Sequence, residues 1–403
     1  MHSLPNPRWV LTRFKLFLVM ALVLLADFTL HAHAEPAPVV IGASLPLSGS
    51  LAGFGSYQKW GYQTAVDEVN AAGGLLINGV KTPVKLVVRD DKTDPVTTSR
   101  NTQTLITRDQ AVAMLGSCTP ALVNAGALIA ERNRVPLVAG CNPLGAFRAV
   151  RQWQYAWSVF FDEKDVAEAP FLLLKELNVA TNKKIAILHD NGPDGSVIGG
   201  KLWPSLAERD GYEVVSRASF PIDNTQFNSM IMEAQSKGAE IVLVDAITPQ
   251  AVAIRKQMEA AGFRPKVLVM EKGAEPEQFA LALGKLSDGV LVGSYWDPSF
   301  PFPQARELAT RFEQETKSSF SQHIADSYAT AQILLDAISA ANSTDSAAIN
   351  AAIAKTDKEY VIGPVKFAAD HTSPIVMSVV QWQDGKPVVI WPKSRATGKA
   401  IPQ

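Results

Sequence analysis

The run Val39-Val40-Ile41-Gly42-Ala43 leads into Ser48-Gly49-Ser50-Leu51-Ala52-Gly53-Phe54-Gly55, and then into a segment from Tyr57 to Asn70 that ends at Gly73-Gly74. A short, continuous apolar run predicts a strand that is buried on both faces. The serine and glycine content of the next stretch predicts a loop. Apolar residues then recur at helical spacing, and the glycine pair is typical of a helix end. The first folded unit is therefore predicted to be a buried strand, a loop and a helix.

The same alternation continues along the chain. Further strands are predicted at residues 84–88, 111–115, 135–139, 184–188, 214–215, 240–244, 266–270 and 290–294, and helices at 96–108, 121–133, 195–210, 228–237, 251–261, 304–316 and 324–341. Strands separated by helices of this length form right-handed βαβ units and parallel sheets. Near the end, Asp384-Gly385-Lys386 separates two apolar runs, which predicts a closing hairpin. The predicted fold class is α/β, with two doubly wound parallel-sheet lobes.

The first 34 residues have the order of a secretory signal peptide. Basic residues precede an apolar run at 16–26, and the small residues Ala32 and Ala34 come just before Glu35. The apolar run is shorter than the ~20 residues that span a bilayer, and the small residues are typical of a cleavage site. An uncleaved anchor is the alternative. We expect residues 1–34 to be removed and the mature protein, starting near Glu35, to work outside the cytoplasm.

Composition bounds the class of protein. The chain has 403 residues, of which 47% are hydrophobic and 19% charged, and its formal net charge is −1. Without the leader about 370 residues remain, which is enough for two domains of ordinary size. A chain with so little net charge lacks the basic face that nucleic-acid-binding proteins usually carry. The sequence therefore predicts a globular protein that does not bind nucleic acid.

Cys118 and Cys141 are the two cysteines of the chain. In an oxidising compartment an even number of cysteines permits a disulfide. The pair has neither CxxC spacing nor nearby histidines, so we predict no metal site and no cofactor. Two buried thiols that pack as small hydrophobic groups are the alternative to the disulfide.

Loops that follow the strands are the places to look for a site, because ligands of open parallel sheets bind beyond the carboxyl ends of the strands. That rule selects residues 46–54, 116–121, 140–145, 189–195 and 245–249, with 271–274 and 295–297 as outer candidates. The sequence contains no G-x-S-x-G, HExxH, Walker or G-x-G-x-x-G motif, so we predict no catalytic residues. A secreted α/β enzyme that uses Asp194, Asp245 or Glu271 as acid–base groups is the less favoured alternative.

Short motifs recur in a fixed order over nearly all of residues 38–392. They are Ile41–Gly49, Phe54-Gly55, Gly61, Asn70–Gly74, Asp90-Asp91, Asp94-Pro95, Gly116, Val135–Val138, His189-Asp190 and Tyr328. Together they resemble the type I periplasmic solute-binding proteins of ABC importers, in the leucine/isoleucine/valine receptor branch. The resemblance implies a monomer in the periplasm of a Gram-negative cell that captures a small solute and delivers it to a membrane permease. A sensor subunit that reports ligand occupancy without transport is left open.

The resemblance also implies how the chain divides. Lobe 1 is predicted to comprise residues 38–157 plus 291–374, and lobe 2 residues 158–290 plus 375–391, with residues 392–403 as a C-terminal tail. Three crossovers would join the lobes, and the ligand would lie in the cleft between them. We expect hinge motion to close this cleft on the ligand.

In the first lobe, the resemblance assigns the ligand's carboxylate to the start of the helix after the third strand. Thr119 is the predicted hydroxyl donor, with Ser117 as second choice, and free N–H groups at a helix start favour an anion. Capping of the helix by Thr119 is the alternative. The next loop adds Cys141 and Asn142, although Asn142 could instead form a turn with its own backbone ahead of Pro143.

The second lobe departs from the family pattern, because it offers acidic side chains to the cleft. Asp194 and Asp245 are predicted to face the ligand. Either Glu271 or its neighbour Lys272 lies where amino-acid receptors bind the ligand's ammonium. For Asp194, capping of the following helix is the alternative.

Aromatic side chains are predicted to form an apolar wall. Phe54 matches the family's aromatic residue in the first loop, and Tyr295 and Trp296 follow a strand end. The aromatic residues within 153–161 are assigned to core and hinge packing. These residues together predict a small polar ligand that carries a carboxylate, either an amino acid or an aromatic or aliphatic acid.

Overall fold

Two large β-sheets with helices packed on them, together with two small two-stranded sheets, form the fold of residues 36–403, which a computed structural model describes. The strands, in chain order, are β1 Val39–Leu45, β2 Leu75–Ile77, β3 Val80–Thr82, β4 Val84–Asp90, β5 Ala113–Leu115, β6 Leu137–Ala139, β7 Ala156–Phe160, β8 Lys184–Asp190, β9 Glu213–Phe220, β10 Ile241–Ala246, β11 Val267–Lys272, β12 Leu291–Ser294, β13 Asp357–Tyr360, β14 Gly363–Lys366, β15 Thr372–Pro374, β16 Ser378–Gln383 and β17 Lys386–Trp391. The α-helices are Ala52–Ala71, Pro95–Thr107, Pro120–Asn133, Leu144–Arg148, Glu163–Glu176, Pro193–Val197, Trp203–Arg209, Asn228–Ser236, Thr248–Ala260, Glu277–Leu283, Ala305–Thr316, Gln322–Ala341 and Ser346–Ile353.

The order of strands defines two lobes. The first sheet has the order β15-β7-β6-β5-β1-β4, and the second has the order β17-β16-β12-β11-β10-β8-β9. All pairs in the first sheet are parallel. In the second sheet β8 to β12 are parallel, and β16 and β17 join antiparallel at one edge. The chain passes between the sheets after β7, after β12 and after β15, so three crossovers link the lobes.

Two long helices, Ala52–Ala71 and Gln322–Ala341, pack against each other on the first sheet. A glycine allows this close approach. A Cβ atom on Gly61 would lie 2.7 Å from the Cβ of Ser327 and 2.8 Å from the backbone nitrogen of Tyr328. The contact brings the second of these helices, which carries His323, beside the loops that end the first sheet.

The predicted fold class is confirmed, and the predicted strands and helices correspond to elements of the structure with shifts at their ends. The closing hairpin turns at Asp384-Gly385, and both residues have positive φ, 50° and 74°. That pair of angles is what a two-residue hairpin turn needs. The alternation of apolar runs and turn residues was therefore enough to identify the α/β fold.

Several local assignments were wrong. The first helix begins at Ala52, so Phe54 is helical and does not lie in the predicted loop. The single helix predicted over 195–210 is broken into Pro193–Val197, a π-helical turn at Ile198–Leu202 and Trp203–Arg209. The hairpin β2–β3, which turns at Asn78-Gly79, was overlooked although asparagine–glycine is a strong hairpin signal.

Two predicted lobe boundaries disagree with the strand pairing. The predicted break after residue 157 falls inside β7, which belongs as a whole to the first sheet. Residues 291–294 were assigned to lobe 1, but β12 pairs with β11 and β16 in the second sheet. A run of apolar residues identifies a strand but not its neighbours, because pairing partners are distant in sequence.

The C-terminal residues lie on the second sheet. The side chain of Gln381 donates a hydrogen bond to the carbonyl of Ile401 and accepts one from its N–H. Within residues 36–403 no helix has both the length and the apolar character that a membrane span requires. The predicted signal peptide, residues 1–34, lies outside the described residues.

Candidate functional site

Loops from both lobes enclose a cavity between the two sheets. Its volume is about 430 Å³ when the open mouth is included, so it suits a small molecule. The residues that line it are Phe54, Cys118, Thr119, Pro120, Cys141, Pro143, Phe160, Phe161, Val166, Asp194, Ile198, Asp245, Glu271, Lys272, Glu275 and His323. Strand ends of both sheets converge here, as the rule for ligand sites in parallel sheets predicts.

Thr119 precedes the helix Pro120–Asn133 and faces the cavity. Its side chain does not cap the helix, which excludes the alternative role considered for it. The first amides of a helix have no intrahelical acceptor, and the positive end of the helix dipole favours an anion. The cavity wall at Thr119 therefore combines a hydroxyl that does not cap the helix with the positive end of the helix dipole.

A disulfide joins the two loops beside this position. Cys118 and Cys141 are bonded, with their Cα atoms 4.9 Å apart, and the N–H of Thr119 donates to the carbonyl of Cys141 over 2.9 Å. The sulfur atoms lie within 4.8 Å of a nitrogen of His323, a group of three that could ligate a metal ion. Because the sulfurs are bonded to each other, these residues do not fit a metal ion.

Three non-glycine residues of the cavity lining have a left-handed backbone conformation. They are Thr119, Cys141 and Lys272, and their φ angles are 69°, 51° and 63°. A β-branched residue such as threonine is rare in this region of φ, so its neighbours must hold the loop in place. Residues held in such conformations are common at ligand sites.

On the lobe 2 side of the cavity, Lys272 is surrounded by three carboxyl groups. Lys272 Nζ donates to Asp190 Oδ2 over 2.7 Å and to Asp194 Oδ2 over 3.0 Å, and it lies 3.1 Å from Asp245 Oδ1. Burial by itself lowers the pKa of Lys272, but the charges of Asp194, Asp245 and Asp190 outweigh burial and raise this pKa well above its usual range. Lys272 is therefore a permanent cation that holds three carboxyl groups together.

Asp245 is the least satisfied member of this cluster. It is fully buried; the Lys272 ammonium lies 3.1 Å from its Oδ1, and its Oδ2 has no hydrogen-bond partner within the described part of the chain. Burial raises the pKa of Asp245 to about 8, even though the charge of Lys272 acts in the opposite direction. A carboxyl group of this kind is ready to accept a hydrogen bond from a ligand.

Glu271 lies on the neighbouring strand, opposite Asp245 in the register of β10 and β11. Its oxygens accept the N–H of Gly293 over 2.9 Å and 3.2 Å. Burial raises the pKa of Glu271 well above its usual range, and the negative charge of Glu275 adds to that effect. Both Glu271 and Lys272 line the cavity, so the two alternatives weighed for this position are both present.

His323 faces the cavity from the long helix of the first lobe. Its Nε2 lies 2.7 Å from Glu275 Oε2, and its Nδ1 lies 2.9 Å from Asp326 Oδ2. Burial lowers the pKa of His323, but Asp326 and Glu275 outweigh it, and the net pKa is about 9. The ring of Phe54 packs edge-on against this imidazole, with centroids 4.9 Å apart.

Four predicted ligand residues lie outside the cavity lining. Ser117 donates to Asp91 Oδ2 over 2.9 Å, and Asn142 donates to Asn124 Oδ1 over 3.1 Å. Tyr295 donates to Asp326 behind His323, and the indole of Trp296 donates to the carbonyl of Val361 over 2.9 Å. Each polar group turns to a partner inside the protein that the sequence does not reveal.

The remaining predicted ligand residues, Phe54, Thr119, Cys141, Asp194, Asp245 and Glu271, do line the cavity. Asp194 does not cap its helix, whose N-cap residue is Gly192. Sequence reasoning missed His323 and Glu275, and it placed Phe160 and Phe161 in the core. His323 lies one residue before the helix predicted at 324–341, and its spacing of three residues from Asp326 was an available signal for a paired histidine.

Two α/β lobes that enclose a charged cavity at their strand ends define a class of proteins that bind a small ligand between lobes. A family model described as "Periplasmic binding protein" matches residues 38–387. The chain belongs to this family, and the resemblance predicted from the sequence is confirmed.

Individual relatives agree with this assignment. The chain is 27% identical over 387 residues to Leu/Ile/Val-binding protein homolog 8 of Brucella abortus, which covers 91% of this chain and 93% of the relative. The fold of this chain is similar to that of the branched-chain amino acid transporter substrate binding protein LivJ of Streptococcus pneumoniae in complex with isoleucine. The TM-score is 0.78 and the identity 23%, and the match covers 88% of this chain and 100% of the other. The fold is also similar to that of an ABC transporter solute binding protein of R. palustris in complex with benzoate, with TM-score 0.75, 19% identity and coverage of 91% and 98%.

Proposed function

We propose that the protein is an extracytoplasmic receptor that captures a small carboxylate-bearing solute between its lobes and presents it to an ABC importer. The solute is an amino acid or a small organic acid. The mature chain acts as a periplasmic monomer, and the permease of the importer is its partner. The leader predicted at residues 1–34 and the family membership support this location and partner.

The observation that carries the proposal is the position of Thr119 at the start of a helix, facing a cavity that both lobes line. A helix start with a free hydroxyl binds an anion without a cationic side chain. The cations of the cavity, Lys272 and His323, are each held by carboxylates of the protein. The helix start is therefore the position left for a ligand carboxylate.

The ligands of similar proteins also support a ligand that carries a carboxylate. Isoleucine in the Streptococcus pneumoniae protein and benzoate in the R. palustris protein both carry a carboxylate. Phe54, Phe160 and Phe161 give this cavity an apolar part that accepts the hydrocarbon portion of such a molecule. Asp194, Asp245 and Glu271 of lobe 2 can bind a positively charged group on the same ligand.

Binding measurements on a Thr119 variant test the carboxylate position. Native mass spectrometry of the purified protein identifies a co-purified ligand, and calorimetry across amino acids and aromatic acids measures affinity. Thr119→Ala is expected to weaken binding by about 1–3 kcal/mol, because a buried charged acceptor loses a hydrogen bond. Thr119→Ser keeps the hydroxyl and is expected to bind nearly as wild type does.

If Thr119→Ala binds as tightly as wild type, the carboxylate lies elsewhere and the assignment fails. Failure of all amino acids and organic acids to bind the wild-type protein would contradict the receptor function itself.

A further inference from the structure

We propose that the ligand is a cationic amino acid, whose side chain ends in a second positively charged nitrogen that Asp194 and Asp245 bind. The inference rests on the proposed function, because it takes the carboxylate position at Thr119 as given. It narrows the ligand from amino acids and organic acids in general to amino acids with a net positive charge.

The charge balance of the cavity is the first argument. Six carboxyl groups line the cavity or contact its lining, namely Asp190, Asp194, Asp245, Glu271, Glu275 and Asp326. Two cations, Lys272 and His323, oppose them. Even if burial keeps Asp245 and Glu271 neutral, the remaining carboxyl groups outnumber the cations. A zwitterion leaves this excess uncompensated, whereas a ligand with a net positive charge reduces it.

The state of Asp245 is the second argument. Its carboxyl group is fully buried at the cavity wall; Lys272 lies 3.1 Å from Oδ1, and Oδ2 has no hydrogen-bond partner within the described residues. A buried polar group without a partner is costly, so native proteins seldom leave one unless something else meets it. A positively charged nitrogen on the ligand would donate the hydrogen bond that Asp245 does not receive from the protein.

Lys272 is not available to bind an anionic group of the ligand. Its ammonium has three carboxylate neighbours within 3.1 Å. These contacts use its hydrogen-bonding capacity, since an ammonium has three donors. Lys272 therefore organises the acidic wall and leaves no cation there for a ligand anion.

The spacing of the acidic groups fits two positive groups on one ligand. Asp245 and Glu271 are register partners on β10 and β11, and neighbouring strands lie about 4.8 Å apart. Glu271 can therefore meet the α-ammonium, while Asp245 and Asp194 meet the side-chain nitrogen. A hydrocarbon side chain against the same wall would exclude water from carboxyl oxygens without replacing their hydrogen bonds.

Matched ligand pairs test the proposal on the wild-type protein. L-Lysine and L-norleucine share the same carbon chain and differ in the terminal ammonium, and L-arginine and L-citrulline differ in the charge of the end group. Calorimetry at pH 7 is expected to give at least tenfold tighter binding for the charged member of each pair. Cadaverine, which is lysine without its carboxylate, is measured beside them.

Variants locate the contact. Asp245→Asn keeps the shape of the side chain but cannot ionise when a cation binds, and it is expected to reduce the lysine-to-norleucine affinity ratio at least fivefold. Asp194→Asn is expected to act in the same direction. Asp223→Asn changes an exposed carboxylate of the same lobe and is the matched control, with an unchanged ratio.

The possible results separate this proposal from the proposed function. Norleucine binding as tightly as lysine would overturn the cationic preference and leave the receptor function standing. Cadaverine binding as tightly as lysine would contradict the carboxylate position while keeping the acidic wall. If none of these amino acids binds, the proposal is overturned. Binding of aromatic acids would then show whether the receptor function still holds.

Discussion

At the scale of the residue, His323 shows how burial and partners compete. Its side chain is 1% exposed and contacts Glu275, Asp326 and the hydroxyl of Tyr295. Desolvation alone would favour the neutral imidazole, but the two carboxylates favour the cation and leave the pKa at about 9. A charged histidine thus sits in the cavity wall at neutral pH.

This pKa predicts a pH-dependent stability. The pKa of His323 rises from 6.5 to about 9 on folding, so its contribution is fully present below pH 6.5 and is lost as the pH rises to about 9. A shift of this size corresponds to about 3 kcal/mol. Urea unfolding between pH 6 and 9.5 is expected to show a smaller loss of free energy of unfolding in His323→Gln than in wild type. Parallel pH profiles for the two proteins would show that His323 is not the responsible group.

At the scale of the element, the disulfide fixes two loops that come from different strand ends. Cys118 follows β5 and Cys141 follows β6, and both residues are buried. The bond lies next to Thr119, whose backbone is in a strained conformation. The disulfide therefore restrains the loop that carries Thr119, the residue proposed to bind the ligand's carboxylate.

Removal of the disulfide is expected to cost both stability and affinity. The bond closes a loop with a sequence separation of 23 residues, for which chain entropy gives about 3 kcal/mol. The double variant Cys118→Ala/Cys141→Ala is expected to lower the free energy of unfolding by about that amount and to weaken ligand binding. Chemical denaturation and calorimetry measure the two effects. Unchanged affinity in a folded double variant would mean that the loop keeps its conformation without the bond.

At the scale of the whole molecule, the cavity needs an opening motion. Groups from both lobes enclose it, from Phe54 and Thr119 on one side to Asp245 and Lys272 on the other. We expect the lobes to separate when a ligand enters and to close after it has bound. The three crossovers after β7, β12 and β15 are the segments that would absorb the change.

Ligand binding is accordingly expected to make the molecule more compact. Small-angle scattering with saturating ligand should give a smaller radius of gyration than the ligand-free protein, because hinge motion closes the lobes. An amino acid that shows no binding by calorimetry is the control at equal concentration. An unchanged radius with a ligand of proven tight affinity would contradict closure.

The sequence by itself determined the architecture. Apolar runs such as Val39–Ala43, helix-length spacers and the Asp384-Gly385 turn are local signals, and local backbone preferences fix them before any distant contact forms. The rule that ligands bind at strand ends then selected loops that do line the cavity, including those of Thr119, Asp194 and Asp245.

Only the tertiary structure decided which side chains of those loops face the cavity. Ser117 and Asn142 turn inward to Asp91 and Asn124, whereas Oδ2 of Asp245 has no hydrogen-bond partner in the described chain. It also decided that β12 belongs to the second sheet and that Lys272 collects three carboxyl groups. These outcomes depend on contacts between segments far apart in the chain. The burial and charge of a side chain at such a contact are determined only once all the segments have packed together.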